Sequence, residues 1–175
     1  MGKVKIGALI WPQYTEWKSV RSMGVTADRV GYDTLWTWDH LYPIIGDPHG
    51  PIFEGWLTIT AWATLTKRAT VGLMVGANTF RAPTLTAKLA TTLDHISGGR
   101  VGWNIVTSGY KDDALHFSRT EHVPHALRYE RAEEFVDIVR GLWDSYDDDA
   151  FPRDKQKGLY VDPEKMHELN HKGRF

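Results

Sequence analysis

The chain has 175 residues, enough for one domain with a genuine core. Lys and Arg number 21 against 22 Asp and Glu, a net charge of -1, so no basic excess points to nucleic acid or to an anionic lipid surface. Cysteine is absent, which excludes disulfides, thiolate zinc sites and cysteine nucleophiles.

The N-terminus leads into a strand-like run with no signal-peptide pattern, and no apolar run approaches the ~20 residues of a membrane span, so a cytoplasmic location is expected. Residues 5–11 read as the first strand. A helix is predicted from about Thr15, as N-cap, to Gly31, as C-cap, with Trp17, Val20, Met23, Ala27 and Val30 as its buried stripe. Residues 34–38 read as the second strand. A second helix is predicted over about residues 54–67, with Leu57, Ala61 and Leu65 in register. Residues 70–77 form the third strand. The third helix starts near Pro83, suited to a first turn, and carries Leu85, Leu89, Leu93 and Ile96 until Ser97-Gly98-Gly99 stops it. Residues 101–107 are the fourth strand. The fourth helix follows Pro124, with Ala132, Phe135, Val136, Val139, Leu142 and Trp143 at helical spacing. From Asp144 the chain is acidic, then polar and irregular, and residues 144–175 are expected to be a surface excursion of one domain spanning 1–175.

Strands that alternate with helices and carry few charges predict an α/β fold with a parallel sheet wrapped by helices. The two candidates are a TIM-type (β/α)8 barrel and a doubly wound sheet. Trp11-Pro12-Gln13-Tyr14 stands where a dinucleotide-binding unit has its Gly-rich turn, which counts against the second. A barrel places strand-following loops on its catalytic face. That face then collects Asp39 and His40 after strand 2, Asn78 and Thr79 after strand 3, Asn104 on strand 4, and His116, His122, His125 and Tyr129 on the way into helix 4. Asp94-His95 ends a helix and should be structural. By alternation, Gly72, Met74, Gly76 and Asn78 should share one face, as should Gly102 and Asn104. A row of glycines suggests room for a bound ring, or a tight barrel core.

His167-Glu168-Leu169-Asn170-His171 matches the zinc-protease signature. Its helix is cut short by Asp162-Pro163 before it and Lys172-Gly173 after it, leaving little chain for a third ligand, so no metal site is expected.

The run Gly31-Tyr32-Asp33-Thr34-Leu35-Trp36-Thr37-Trp38-Asp39-His40-Leu41, with Gly55-Trp56, residues 73–81 and residues 94–100, resembles the deazaflavin-dependent branch of the bacterial-luciferase-like oxidoreductases. Arg100-Val101-Gly102-Trp103-Asn104-Ile105-Val106-Thr107-Ser108, the stretch from His125 to Tyr129, and Gly141-Leu142-Trp143-Asp144 resemble the FMN-dependent branch that oxidises nitrilotriacetate and dibenzothiophene sulfone. The two resemblances meet near residues 93–100. Either implies a (β/α)8 barrel, of which this chain covers about the first four βα units; a complete one takes about 250 residues. The resemblance implies a two-component monooxygenase that uses reduced FMN from a separate flavin reductase, and oxygen, on a small organic substrate. Its alternatives are hydride transfer with a deazaflavin and a non-catalytic half-barrel module that pairs as a homodimer or with a missing half. It implies Asp39, Asn78, Thr79, His125 and Tyr129 as cofactor contacts; Asn104 joins them from its place on strand 4, and His40 is the proton-transfer candidate because an imidazole titrates near neutral pH. The phosphate site of such barrels lies after strands 7 and 8, so these residues alone are expected to bind FMN weakly or not at all.

Overall fold

The computed structural model describes residues 4–117 and 120–175. Strands and helices alternate: β1 (Gly7–Leu9), α1 (Trp17–Val30), β2 (Thr34–Asp39), α2 (Gly55–Leu65), β3 (Thr70–Ala77), α3 (Pro83–Ser97), β4 (Val101–Val106) and α4 (His125–Trp143). Short 3-10 turns occupy Lys111–Phe117 and Pro163–Lys165. The four strands make one parallel sheet in the order β1-β2-β3-β4. Each βα unit adds its strand beside the previous one, with none of the order reversal that marks a doubly wound sheet. The sheet is a four-stranded arc of a TIM-type barrel. The chain divides into two compact units, Met1–Thr79 with Leu89–Gly109 and Phe80–Lys88 with Tyr110–Phe175.

The core of the first unit joins Leu35, Val71 and Leu73 of the sheet to Val20 and Ala27 of α1, Ile59, Trp62 and Ala63 of α2, and Ala90 and Leu93 of α3. The buried face of α2 is not the expected one. Leu57 is 72% exposed, while Trp56, Ile59, Trp62 and Ala63 are buried. The helix is apolar on nearly every side, so its period could not choose a face. Two indoles, each removing ~150–250 Å² from water, outweigh two leucines.

That choice also rotates α1. Trp62 lies against Gly24 and its Nε1 donates to the Val20 carbonyl at 3.1 Å. The buried residues of α1 are therefore Val20, Gly24 and Ala27, not Trp17, Met23 and Val30. Met23 and Val30 instead line, with Ala8, Ile10 and Tyr32, a groove of about 340 Å³. On α3, Leu85 is likewise exposed while Ala90 and Leu93 are buried. In the second unit Phe135 and Val139 of α4 are buried as expected, and the Trp143 indole donates to the Ala87 carbonyl at 3.2 Å.

The helix ends follow local chemistry. Thr15 does not cap α1; the helix starts after Glu16, without a side-chain cap. Gly31 does close it, at φ +106°, a conformation that L side chains rarely adopt. Glu54 caps α2 by accepting from the N–H groups of Trp56 and Leu57.

Two charged side chains tie the helix-following turns together. Asp28 accepts from the backbone N–H groups of Lys67, Arg68 and Ala69. Partial burial alone would push its carboxyl up, but these donors, from Ala69, Lys67 and Arg68 in that order, and the Arg68 charge hold it below the ordinary carboxylate range. Arg100 donates to the carbonyls of Ala63, Thr66 and Ala69 and to the Thr66 hydroxyl, closing the end of α2.

Replacing Gly24 with Ala adds helix propensity worth ~0.5–1 kcal/mol but drives a methyl into the Trp62 indole, an overpacking that costs ~1–3 kcal/mol. The expected result is a net loss of stability, measured by chemical denaturation. Asp28→Asn should lose about 1 kcal/mol at neutral pH, because three backbone N–H groups, that of Ala69 part-buried, lose a charged acceptor. The Asp28 pKa is depressed in the folded state, so its contribution is full above the ordinary carboxylate pKa and is lost as pH falls through the folded value. The acid limb of a stability-pH curve should accordingly be shallower in Asp28→Asn than in the parent.

Candidate functional site

The C-terminal ends of β2 and β3 gather polar groups in the first unit. Asp39 closes β2 with no measurable exposure, opposite Gly76 of β3, and His40 behind it is 3% exposed. Asn78 and Thr79 follow β3, and the Asn78 N–H donates to the Val106 carbonyl at 3.1 Å. Gly55, the first residue of α2, lets the helix start abut Trp38 and Asp39: a Cβ there would lie 2.9 Å from the Trp38 carbonyl oxygen and 3.0 Å from the Asp39 Cα. Thr37 Oγ1, Trp38 Nε1, Asn78 Nδ2 and Thr79 Oγ1 are buried and have no hydrogen-bond partner among the described residues.

The glycine row is not the open space the alternation suggested. Gly72 pairs with Gly102, but the register slips by one residue between Leu73 and Gly76, so Gly76 pairs with Ile105. A one-residue slip turns later side chains to the other face. Gly76 therefore shares the face of Val101 and Trp103, not that of Gly72. Over Gly72 and Gly102 lies the indole of Trp36; a Cβ on Gly102 would sit 2.7 Å from it. Over Gly76 lies the indole of Trp103. The glycines make room for tryptophans of the chain itself. Asn104 is exposed and lies on the Gly102 side, whereas Asp39, in ladder with Gly76 and Ile105, lies on the other.

The loops after β1 and β2 are locked to each other. Gln13, 4% exposed, donates from Nε2 to the Ile45 carbonyl at 2.7 Å and accepts from the Ile44 N–H at 3.1 Å. The Tyr14 hydroxyl donates to the Asp47 carbonyl, and the Tyr14 ring lies close against Gly46 and Gly50. Trp11 packs on Trp38 with ring centroids 5.3 Å apart. Gln13 escaped the sequence reading, although a polar residue directly after an apolar strand was the available signal.

In the second unit His125 and Tyr129, one turn apart on α4, pack ring to ring with centroids 4.9 Å apart, and Tyr129 is half exposed. His116 lies 3.8 Å from the buried Asp113 carboxylate and edge-on to Phe80. Arg128 donates to His122 Nε2 at 3.1 Å. Partial burial and then the Arg128 charge hold the His122 imidazole below its ordinary value, against an opposing pull from Asp113. Residues 167–171 are not helical: His167 meets Asp147 and His171 meets Glu134, so the zinc-helix geometry does not form. Among the described residues no His, Asp and Glu group is arranged to hold a metal ion, and no helix is long and apolar enough to cross a membrane.

A parallel sheet of sequential βα units with buried polar groups at its strand ends has the construction of a barrel enzyme. The profile of the family described as luciferase-like monooxygenase matches residues 5–175, and the chain belongs to that family. It is 45% identical over 159 residues to N-acetyl-S-(2-succino)cysteine monooxygenase of Bacillus subtilis, covering 89% of this chain and 35% of that protein. It is 44% identical over 123 residues to nitrilotriacetate monooxygenase component A of Aminobacter aminovorans, covering 70% and 27%. Among solved structures it superposes with a TM-score of 0.86 and 26% identity on riboflavin lyase bound to modified FMN and riboflavin, covering 98% of this chain and 45% of that one. The chain thus spans about a third of the length of these curated relatives.

If Trp36 fills the space over the glycines, Gly102→Ala should destabilise by about 1–3 kcal/mol through overpacking. In a Trp36→Ala background the same change should be close to neutral. A double-mutant cycle by denaturation reads the difference; additive effects would contradict the packing.

Proposed function

We propose that this chain forms the flavin-facing strand ends of a monooxygenase that takes reduced FMN from a separate reductase and oxygenates a small organic substrate. One observation carries the reading. The buried Asn78 Nδ2 and Thr79 Oγ1 have no partner among the described residues, where an unsatisfied buried polar group costs ~1–3 kcal/mol. A flat ring system with acceptor atoms along one edge suits such donors. Reduced FMN, when bound, supplies the electrons that activate oxygen; the protein orients and shields.

Asn78 and Thr79 would hold the flavin ring, with Asp39 and Asn104, on opposite faces of the sheet, as further contacts from either side of the strand ends. The resemblance adds His125 and Tyr129 to the FMN contacts. His40 would move the proton: it follows Asp39 at the strand end and is 3% exposed. A deazaflavin coenzyme is the alternative. The relative that matches 89% of the chain spans the point where the two resemblances meet and is named a monooxygenase, and a deazaflavin reacts poorly with oxygen, which supports FMN. The protein would work in the cytoplasm. The free edge of β1 would pair with further barrel strands or with a second copy.

Equilibrium dialysis against FMN and against a 5-deazaflavin tests this. Saturable FMN binding is expected, weaker than about 1 μM. Asp39→Ala and Asn78→Ala should weaken it about tenfold, the loss of one hydrogen bond to a bound group. Asp94→Ala, at a helix end, should leave it unchanged. No saturable binding of FMN, preference for the deazaflavin, or equal loss at Asp94 would overturn the reading.

A further inference from the structure

We infer that residues 167–175 form a strap latched to α4 by one carboxylate, that of Glu134, and that protonating Glu134 releases it. The inference stands apart from the flavin reading and rests on the second unit alone. The strap begins with the stretch from His167 to His171 that matches a zinc signature, and both histidines meet carboxylates instead: His167 Nε2 lies 2.9 Å from Asp147 and His171 Nε2 lies 3.3 Å from Glu134.

The strap bends at Asn170, whose φ of +49° lies in the left-handed region that a short polar residue tolerates. Leu169 lies against Gly141 of α4. Gly173 brings the backbone so near to Glu134 that any side chain there would collide with the carboxylate. Both Glu134 oxygens accept from the strap backbone, Oε2 from the Arg174 N–H at 2.9 Å and Oε1 from the Phe175 N–H at 3.2 Å.

The charged groups about this latch are His171 and Arg174 on the strap and Glu130 and Arg131 on α4. Arg174 pairs with Glu130 at 2.7 Å, and the Arg131 and Arg174 guanidiniums lie over the Phe175 ring. The Arg174–Glu130 pair is exposed on both sides, and such pairs hold little in water. Glu134 differs, because one carboxylate takes two backbone donors and an imidazole. A neutral carboxyl carries an O–H donor where the ion has only acceptors, so it cannot keep all three contacts. The Arg174 N–H foremost, then the Phe175 N–H and the His171 imidazole, hold the Glu134 carboxyl below the ordinary carboxylate range, against the upward push of desolvation. With a depressed folded pKa, the latch is whole above the ordinary carboxylate value and is lost as pH falls through the folded one.

Amide NMR on the whole chain tests this. The Arg174 and Phe175 amide proton shifts should follow pH together, with one midpoint below that of an unstructured glutamate. At about pH 6 both amides should be protected from hydrogen exchange, and Glu134→Gln should lower that protection about tenfold, while the amide of the buried Val139 keeps its own. Glu130→Gln, which removes only the exposed pair, should leave all three amides within about twofold of the parent. The titration needs no variant, so it decides the question even where Glu134→Gln does not fold. A midpoint at or above the glutamate value, Arg174 and Phe175 amides that exchange freely in the parent, unchanged protection in Glu134→Gln, or an equal loss in Glu130→Gln would overturn the inference.

Discussion

The packing of Trp62 against Gly24 fixes the first unit. An indole with no exposed surface needs an apolar bed on three sides and a partner for its N–H. The Val20 carbonyl supplies the partner, and the missing side chain of Gly24 supplies the depth. Once α2 turns this face inward, Trp56 and Ile59 follow into the core, α1 must present Val20 and Ala27, and Leu57 is left to solvent. The orientation of two helices and the shape of the groove beside β1 thus descend from one side chain.

The sheet shows the same economy with tryptophan. Trp36 covers Gly72 and Gly102, Trp103 covers Gly76, and Trp38 backs Trp11. Large rings placed over residues without side chains make a close-packed layer of strands that are otherwise small and β-branched. The polar groups then gather where the strands run out, at Asp39, His40, Asn78 and Thr79, and α2 starts at Gly55 close against the end of β2 at Trp38 and Asp39.

Much of the architecture was legible in the sequence because parallel strands buried between helices leave a strong mark: short uncharged runs, each followed by a helical period and a stop. Pro83, Gly31 and the Ser97-Gly98-Gly99 stop placed helix ends to within a residue or two. What failed, failed for definite reasons. The face of α2 was ambiguous because every side is apolar. The alternation along β3 broke at a register slip that no side chain in Val71-Gly72-Leu73-Met74-Val75-Gly76 announces. Glycines signalled proximity correctly but not to what; the indoles that approach them come from neighbouring strands. The strand-end residues could be placed on the right end of the sheet from chain order alone, while their burial, and side-chain atoms Asn78 Nδ2 and Thr79 Oγ1 without a partner among the described residues, needed the fold.

The Gln13 contact has a consequence for how such a protein can change over generations. Gln13 grips Ile44 and Ile45 by their backbone N–H and C=O, not by their side chains. A backbone grip is blind to residue identity. Substitutions at Leu41, Ile44 or Ile45 can therefore accumulate while the loop keeps its course, whereas a substitution at Gln13 releases the loop whatever its sequence. The loop held by Gln13 is a frame with exchangeable panels: lineages can drift in what they present there without renegotiating the fold beneath.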